Sequence, residues 1–69
     1  MNNEQLRGWV QNGLLHVSGL TSGTPWTIYN LYGQLIYTGI ADGNEAKIPL
    51  PERGVYIVQS GGKVIKTIY

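Results

Sequence analysis

The strongest constraint on the fold is how often glycine and proline interrupt the apolar segments. Ten glycines and three prolines are spread along 69 residues, and both residue types are unfavourable inside helices. No window of about 11 residues places apolar side chains at the i, i+3, i+4 and i+7 positions of an amphipathic helix. The chain is therefore predicted to form strands and no helix.

Short segments rich in β-branched and aromatic residues alternate with turn residues about every 8 to 12 positions, a spacing typical of a β-sandwich or a small open barrel. Asn12-Gly13 is the strongest hairpin signal, because both central residues of a type I′ turn need positive φ. Gly33 is expected in a left-handed turn, and Gly61-Gly62 in a C-terminal hairpin. The seven predicted strands are 6–11, 14–18, 26–30, 34–40, 45–50, the segment before Gly61, and 63–69.

Length and charge exclude several classes of protein. A chain of 69 residues allows one small domain that buries about 60% of its unfolded surface. The formal charge is +1, from five basic and four acidic residues, and the basic residues are scattered, which argues against a nucleic-acid partner. No apolar run approaches the roughly 20 residues of a membrane span. We divide the chain into a stub with a candidate first strand (1–11) and a β-domain (12–69).

The sequence offers little chemistry. The only imidazole belongs to His16, which is predicted to lie on a sheet face with no carboxylate nearby in sequence. The acidic residues fall in the N-terminal stub, in turns or at outward positions, where solvated charges are expected. Cysteine is absent, and one histidine with dispersed acids is too few for a metal site. We therefore expect a protein that is not an enzyme and needs no cofactor.

The aromatic residues have two interpretations. Because the chain has no phenylalanine, Trp26 and Tyr56 are expected in the core, where large apolar groups are needed. Trp9 and Tyr32 are candidates for an exposed patch, which would fit a carbohydrate-binding or adhesive module. A structural spacer between larger domains is another functional hypothesis.

Four segments in this order resemble the type IX secretion system C-terminal sorting domain. They are Leu15-His-Val-Ser-Gly-Leu-Thr-Ser-Gly, Trp26-Thr-Ile-Tyr-Asn-Leu-Tyr-Gly-Gln-Leu-Ile, Leu50-Pro-Glu-Arg-Gly-Val-Tyr-Ile-Val and Gly62-Lys-Val-Ile-Lys. The resemblance covers residues 12–69. The Tyr-Pro-Asn-Pro-like opening of many members is replaced here by Leu6-Arg-Gly-Trp-Val-Gln.

The resemblance implies a small Ig-like antiparallel β-sandwich that directs a larger N-terminal cargo from the periplasm across the outer membrane of a Gram-negative bacterium. The implied partners are the type IX secretion translocon and a sortase-like protease, and the implied location is secreted or at the cell surface. The family's signature glycines, aromatics and lysines correspond to Tyr29, Gly33, Gly54, Tyr56, Lys63 and Lys66, which are the candidate residues for recognition by the translocon.

A physical mechanism follows from the strand pattern. A receptor can recognise a folded signal by adding a strand to an exposed sheet edge, and the last predicted strand, 63–69, is the expected edge. Lys63 and Lys66 are three residues apart, so they are predicted to point to opposite faces of that strand.

Overall fold

The computed structural model describes residues 5–69, which form two antiparallel sheets of seven strands with no helix. This confirms the predicted all-β sandwich. The strands are β1 (Arg7–Gln11), β2 (Leu14–Ser18), β3 (Pro25–Asn30), β4 (Leu35–Ile40), β5 (Glu45–Pro49), β6 (Val55–Ser60) and β7 (Lys63–Ile68). The bounds that were predicted differ from those observed by one residue at most: Leu6, Gln34, Leu50 and Tyr69 lie just outside their strands, and Pro25 begins β3.

The strand order and connections of the two sheets are those of an Ig-like sandwich. One sheet has the order β1-β2-β5 and the other the order β4-β3-β6-β7. Hairpins join β1 to β2, β3 to β4 and β6 to β7, whereas the other three connections cross between the sheets. As a result, β1, β5, β4 and β7 are the four edge strands.

The core lies between the sheets and follows the period-two alternation of side chains. Leu15 and Val17 enter it from β2, and both are fully buried, as their shared face predicts. The predicted core positions Trp26 and Tyr56 are confirmed, each with 2% of its surface exposed. The other buried apolar residues are Leu6, Leu20, Ile28, Ala41, Leu50 and Val58. Since Leu6 is among them and β1 hydrogen-bonds to β2, the chain joins the sandwich before residue 12.

Three tight turns set the registers of the hairpins. Asn12 and Gly13 have φ of 55° and 74°, which confirms the predicted type I′ turn. Gly61 has φ of 59° but Gly62 does not have positive φ, as in a type II′ turn. Gly33 has φ of 84° and lies in the four-residue connection between β3 and β4, where its N–H donates to Asn30 O at 3.0 Å.

A β-bulge interrupts β4. The register passes from Ile28 paired with Tyr37 to Tyr29 paired with Leu35, so Ile36 is the additional residue. Ile36 and Tyr37 both pack against the core, although they are adjacent in sequence. Bulges bend an edge strand and disfavour further pairing along it.

Candidate functional site

The predicted terminal edge strand is present as β7. It pairs with β6 along its whole length, from Ser60 opposite Lys63 to Val55 opposite Ile68, and no strand of residues 5–69 pairs with its other side. Beyond β7, Tyr69 exchanges backbone hydrogen bonds with Gly54. Residues 63–69 are therefore ordered, paired on one side and open on the other.

The side chains of β7 alternate between two environments. Ile65 is half-buried and Thr67 is buried, and they face β1. A methyl group added at Gly8 would lie 2.9 Å from both Ile65 Cδ1 and Thr67 Oγ1. Val64, Lys66 and Ile68 face away from the sandwich, and Val64 and Ile68 are 60% and 74% exposed.

These three residues border the outer face of the four-stranded sheet. Strand register places Leu35, Tyr29, Ile57 and Lys66 in one row across that face. A second row contains Thr38, Thr27, Gln59 and Val64. Lys66 is the single charged residue of the two rows and of their outward neighbours Val55, Ile40 and Ile68. The face therefore presents one row that is apolar apart from Lys66 and a second row in which Val64 is the apolar member, with one cation at the β7 edge.

Three of the six candidate residues lie on the surface. Tyr29 is half-buried on the outer face, in the same row as Lys66 but two strands away. Lys66 is exposed in the middle of β7. Lys63 is exposed at the start of β7, and it falls on the alternation that includes Ile65 and Thr67, so the two lysines point to opposite faces as predicted.

The two candidate glycines have conformational roles. Gly33 closes the β3–β4 turn, in which Asn30 Oδ1 accepts hydrogen bonds at 2.9 Å from the N–H groups of Tyr32 and Gln34. Gly54 has φ of 154° and precedes β6, a conformation that side chains rarely adopt. Neither glycine would bring an added methyl group within 4 Å of another residue, so backbone conformation alone explains them.

Tyr56 is a structural residue of the core. Its side chain is buried, and its hydroxyl donates a hydrogen bond to the backbone oxygen of Glu52. This bond ties the β5–β6 connection to the start of β6, as the tyrosine corner of Ig-like sandwiches does. A buried ring cannot be presented to a receptor without unfolding, so Tyr56 supports the shape of the site and does not form its surface.

The end of the sandwich near Gly54 contains a shallow cleft. Its volume is about 310 Å³, and it is lined by the β3–β4 turn and the β5–β6 connection. Asn30, Tyr32, Glu52 and Arg53 contribute polar groups to it. Among residues 5–69 no cluster of histidine or acidic side chains has the spacing of a metal site.

The exposed aromatics Trp9 and Tyr32 lie on different sheets. Trp9 projects from the outer face of the β1-β2-β5 sheet and stacks on His16, with ring centroids 5.3 Å apart and planes inclined by 9°. His16 is thus a sheet-face residue, as predicted. Tyr32 is 88% exposed in the β3–β4 turn. The two rings share neither a sheet nor a turn, so the structure does not support the single patch that was predicted.

Val64 and Ile68 are the surface residues that the sequence analysis missed. The signal was present, because the alternation that separates Lys63 from Lys66 also places Val64 and Ile68 beside Lys66.

No family model, curated protein or solved structure matches this chain. The described residues also contain no helix of the length and hydropathy that a membrane crossing requires.

Proposed function

We propose that this chain is a non-catalytic sorting domain that directs a larger cargo protein across the outer membrane by type IX secretion. The observation that carries the proposal is β7, a regular, ordered strand whose outer edge is unpaired and which carries Lys66. The resemblance of residues 15–23, 26–36, 50–58 and 62–66 to sorting domains supplies the biological context. The proposed partners are the translocon and a sortase-like protease.

In this proposal the receptor recognises shape and backbone, not a reactive group. An exposed edge offers backbone hydrogen bonds, and alternate side chains provide specificity. Tyr29 and Lys66 contribute side chains on the outer face, while Gly33, Gly54 and Tyr56 maintain the turns and the core behind it. Lys63, at the start of β7, contributes from the opposite face of the strand.

A reporter fusion tests the function. The reporter carries a signal peptide at its N-terminus and this chain at its C-terminus, and it is expressed in a bacterium with type IX secretion and in a mutant without the translocon. We expect the reporter outside the cell or on its surface in the first strain and in the periplasm of the second. Retention of a folded wild-type fusion in the periplasm of both strains would refute the proposal.

Single substitutions refine the test. We expect Lys63→Ala and Lys66→Ala each to reduce export without abolishing it, because each removes one side chain from a contact that is largely backbone. Deletion of 63–69 is expected to abolish export, but it also removes Ile65 and Thr67 from the packed interior. The deletion is therefore interpretable only beside the point variants.

The second candidate is a glycan-binding module, which the exposed stack of Trp9 on His16 favours. Aromatic faces pack against the apolar faces of sugar rings, and Arg7 and Lys47 lie beside the stack on the same outer face. Chemical-shift changes centred on Trp9 when oligosaccharides are added would support this function. Shifts at Tyr32 alone would not, because that ring belongs to the other sheet.

A further inference from the structure

The hydrogen-bonding phase of β7 determines which backbone groups its open edge offers. Tyr69 N–H donates to Gly54 O at 2.9 Å, and Gly54 N–H donates to Tyr69 O at 3.3 Å. In an antiparallel ladder such doubly bonded pairs alternate with pairs that exchange no hydrogen bonds. Counting back by two along the register, the next doubly bonded residues of β7 are Thr67, Ile65 and Lys63.

The intervening residues therefore direct their backbone groups outward. The N–H and C=O groups of Val64, Lys66 and Ile68 point away from β6, toward the side of β7 on which none of the described strands is paired. The side chains of these residues also lie on the outer face of the sheet and are exposed. The open edge thus combines three donors, three acceptors and three side chains, all from the same residues.

The other edge strands are less suited to accept a strand. β4 contains the bulge at Ile36. β5 includes Pro49 and is five residues long. β1 is also five residues long, whereas β7 has six residues with neither a bulge nor a proline.

We propose that the outer edge of β7 binds an extended segment of a partner protein in which an acidic residue lies opposite Lys66 and apolar residues lie opposite Val64 and Ile68. Lys66 selects the acidic residue, because opposite charges on facing strand positions attract and like charges repel. Val64 and Ile68 select apolar neighbours, which would lie beside the apolar row formed by Leu35, Tyr29 and Ile57. The inference rests on the proposed function and names the chemistry of its partner.

The same charge disfavours a second copy of this chain as the occupant. A two-fold antiparallel pairing that overlaps Val64, Lys66 and Ile68 completely places Lys66 opposite the Lys66 of the copy. Like charges at facing positions destabilise the pair, and lysine on an edge strand is a known protection against self-association. Pairing of the β7 edge is therefore favoured with an acidic strand and disfavoured with the β7 strand of a second copy.

Hydrogen exchange of the isolated domain, followed by NMR, tests which backbone amides of β7 point away from β6. We expect the amides of Val64, Lys66 and Ile68 to exchange quickly and those of Ile65, Thr67 and Tyr69 to be protected. The probe is a short capped peptide with valine, glutamate and isoleucine at alternate positions and threonine between them. Adding it should shift and protect the three outward amides. Shifts centred on β1, β4 or Trp9 instead, or no shift at millimolar peptide, would overturn the proposal.

A second peptide, with lysine in place of the glutamate, tests the role of Lys66. We expect it to bind about fivefold more weakly to the wild-type domain. For Lys66→Glu the preference should reverse, so that the lysine peptide binds better. Equal binding of the two peptides to both proteins would refute the predicted acidic partner, and a dimer that excludes the peptides would identify a second copy as the occupant.

Proline substitutions separate the edge from the fold. Lys66→Pro removes an outward N–H and leaves the β6–β7 ladder intact, so the domain should stay folded and lose the peptide. Lys66→Thr is the matched control that keeps the N–H. If the wild-type domain binds the peptide but the fusion is not exported, the docking site stands and the proposed function fails. If the fusion is exported but the peptide binds elsewhere or not at all, the function stands and the docking site fails.

Discussion

At the scale of single residues, the six candidate positions have two kinds of role. Gly33 and Gly54 adopt backbone conformations that side chains disfavour, and Tyr56 is buried with its hydroxyl bonded to Glu52. Such residues support the fold. Tyr29 and Lys66, by contrast, lie on the outer face, and Lys63 is exposed at the start of β7. The sequence motif does not separate these two roles, because residues that support the fold and residues that lie on the surface occur in it side by side.

Gly19 provides the sharpest prediction for stability. Its φ is 85°, and a methyl group there would overlap the carbonyl oxygen of Gln5 and lie 2.9 Å from Leu6 Cα. We expect Gly19→Ala to lower the free energy of unfolding by about 3 kcal/mol, because the backbone of Gln5 and Leu6, just before β1, must move. Urea denaturation measures the change.

Gly23 is the matched control for Gly19. Its φ is 87°, and no atom lies within 4 Å of an added methyl group. Gly23→Ala should therefore lower the free energy of unfolding by only about 1 kcal/mol, from backbone strain alone. If Gly19→Ala and Gly23→Ala lower the free energy of unfolding equally, Gln5 and Leu6 do not pack against Gly19 as described.

The hydroxyl of Tyr56 is predicted to stabilise the fold by a modest amount. Tyr56→Phe keeps the buried ring but leaves the carbonyl of Glu52 without its donor, so the free energy of unfolding should fall by about 1 kcal/mol. Tyr32→Phe, at an exposed position, should change it by less than about 0.5 kcal/mol. Thermal denaturation of the two variants makes the comparison, and an unchanged midpoint for Tyr56→Phe would contradict the role assigned to the hydroxyl.

At the scale of elements, the sequence predicted what depends on neighbouring residues. The Asn12-Gly13 turn, the left-handed Gly33 and the absence of helices all follow from local backbone preferences. The bulge at Ile36 was not predicted. Leu35, Ile36 and Tyr37 are all large and largely apolar, so the sequence does not indicate which of them face the core. The approach of β1 to β7 was not predicted either. It brings together residues that are distant in sequence, and it is possible because Gly8 has no side chain to occupy the space of Ile65 and Thr67.

Gly8 tests that approach. Gly8→Ala should lower the free energy of unfolding by about 1 to 2 kcal/mol, because the added methyl group must displace Ile65 and Thr67. Gly62→Ala is a suitable control, because Gly62 lacks positive φ and an added methyl group there meets no atom within 4 Å. If both variants unfold at the same denaturant concentration as the wild type, β1 is not packed on β7 as described.

At the scale of the whole molecule, strand order is what the sequence left open. Spacing alone allowed a sandwich or a small barrel, and the Ig-like arrangement came from the resemblance to sorting domains. The order β4-β3-β6-β7 decides that the last strand is an edge with one open side. It also brings residues from four strands together on one outer face, including the row Leu35, Tyr29, Ile57 and Lys66.

The oligomeric state is predicted to depend on Lys66. We expect the wild-type domain to be monomeric, because complete self-pairing of β7 would bring two lysines together. Lys66→Ile removes that repulsion and should shift the protein toward a dimer at high concentration, whereas Lys63→Ile should not, since Lys63 is outside the outward-facing set. Sedimentation velocity distinguishes these outcomes, and a stable wild-type dimer paired through β7 would contradict the account.

The central claim is that the open edge of β7 is what a receptor recognises, and export of a reporter fused to Lys66→Pro tests it most directly. The account predicts that this fusion, folded as judged by protease resistance, accumulates in the periplasm, while the Lys66→Thr fusion, which loses only the lysine side chain, is still exported at a reduced level. Export of the folded Lys66→Pro fusion at the wild-type level would show that recognition takes place elsewhere on the domain.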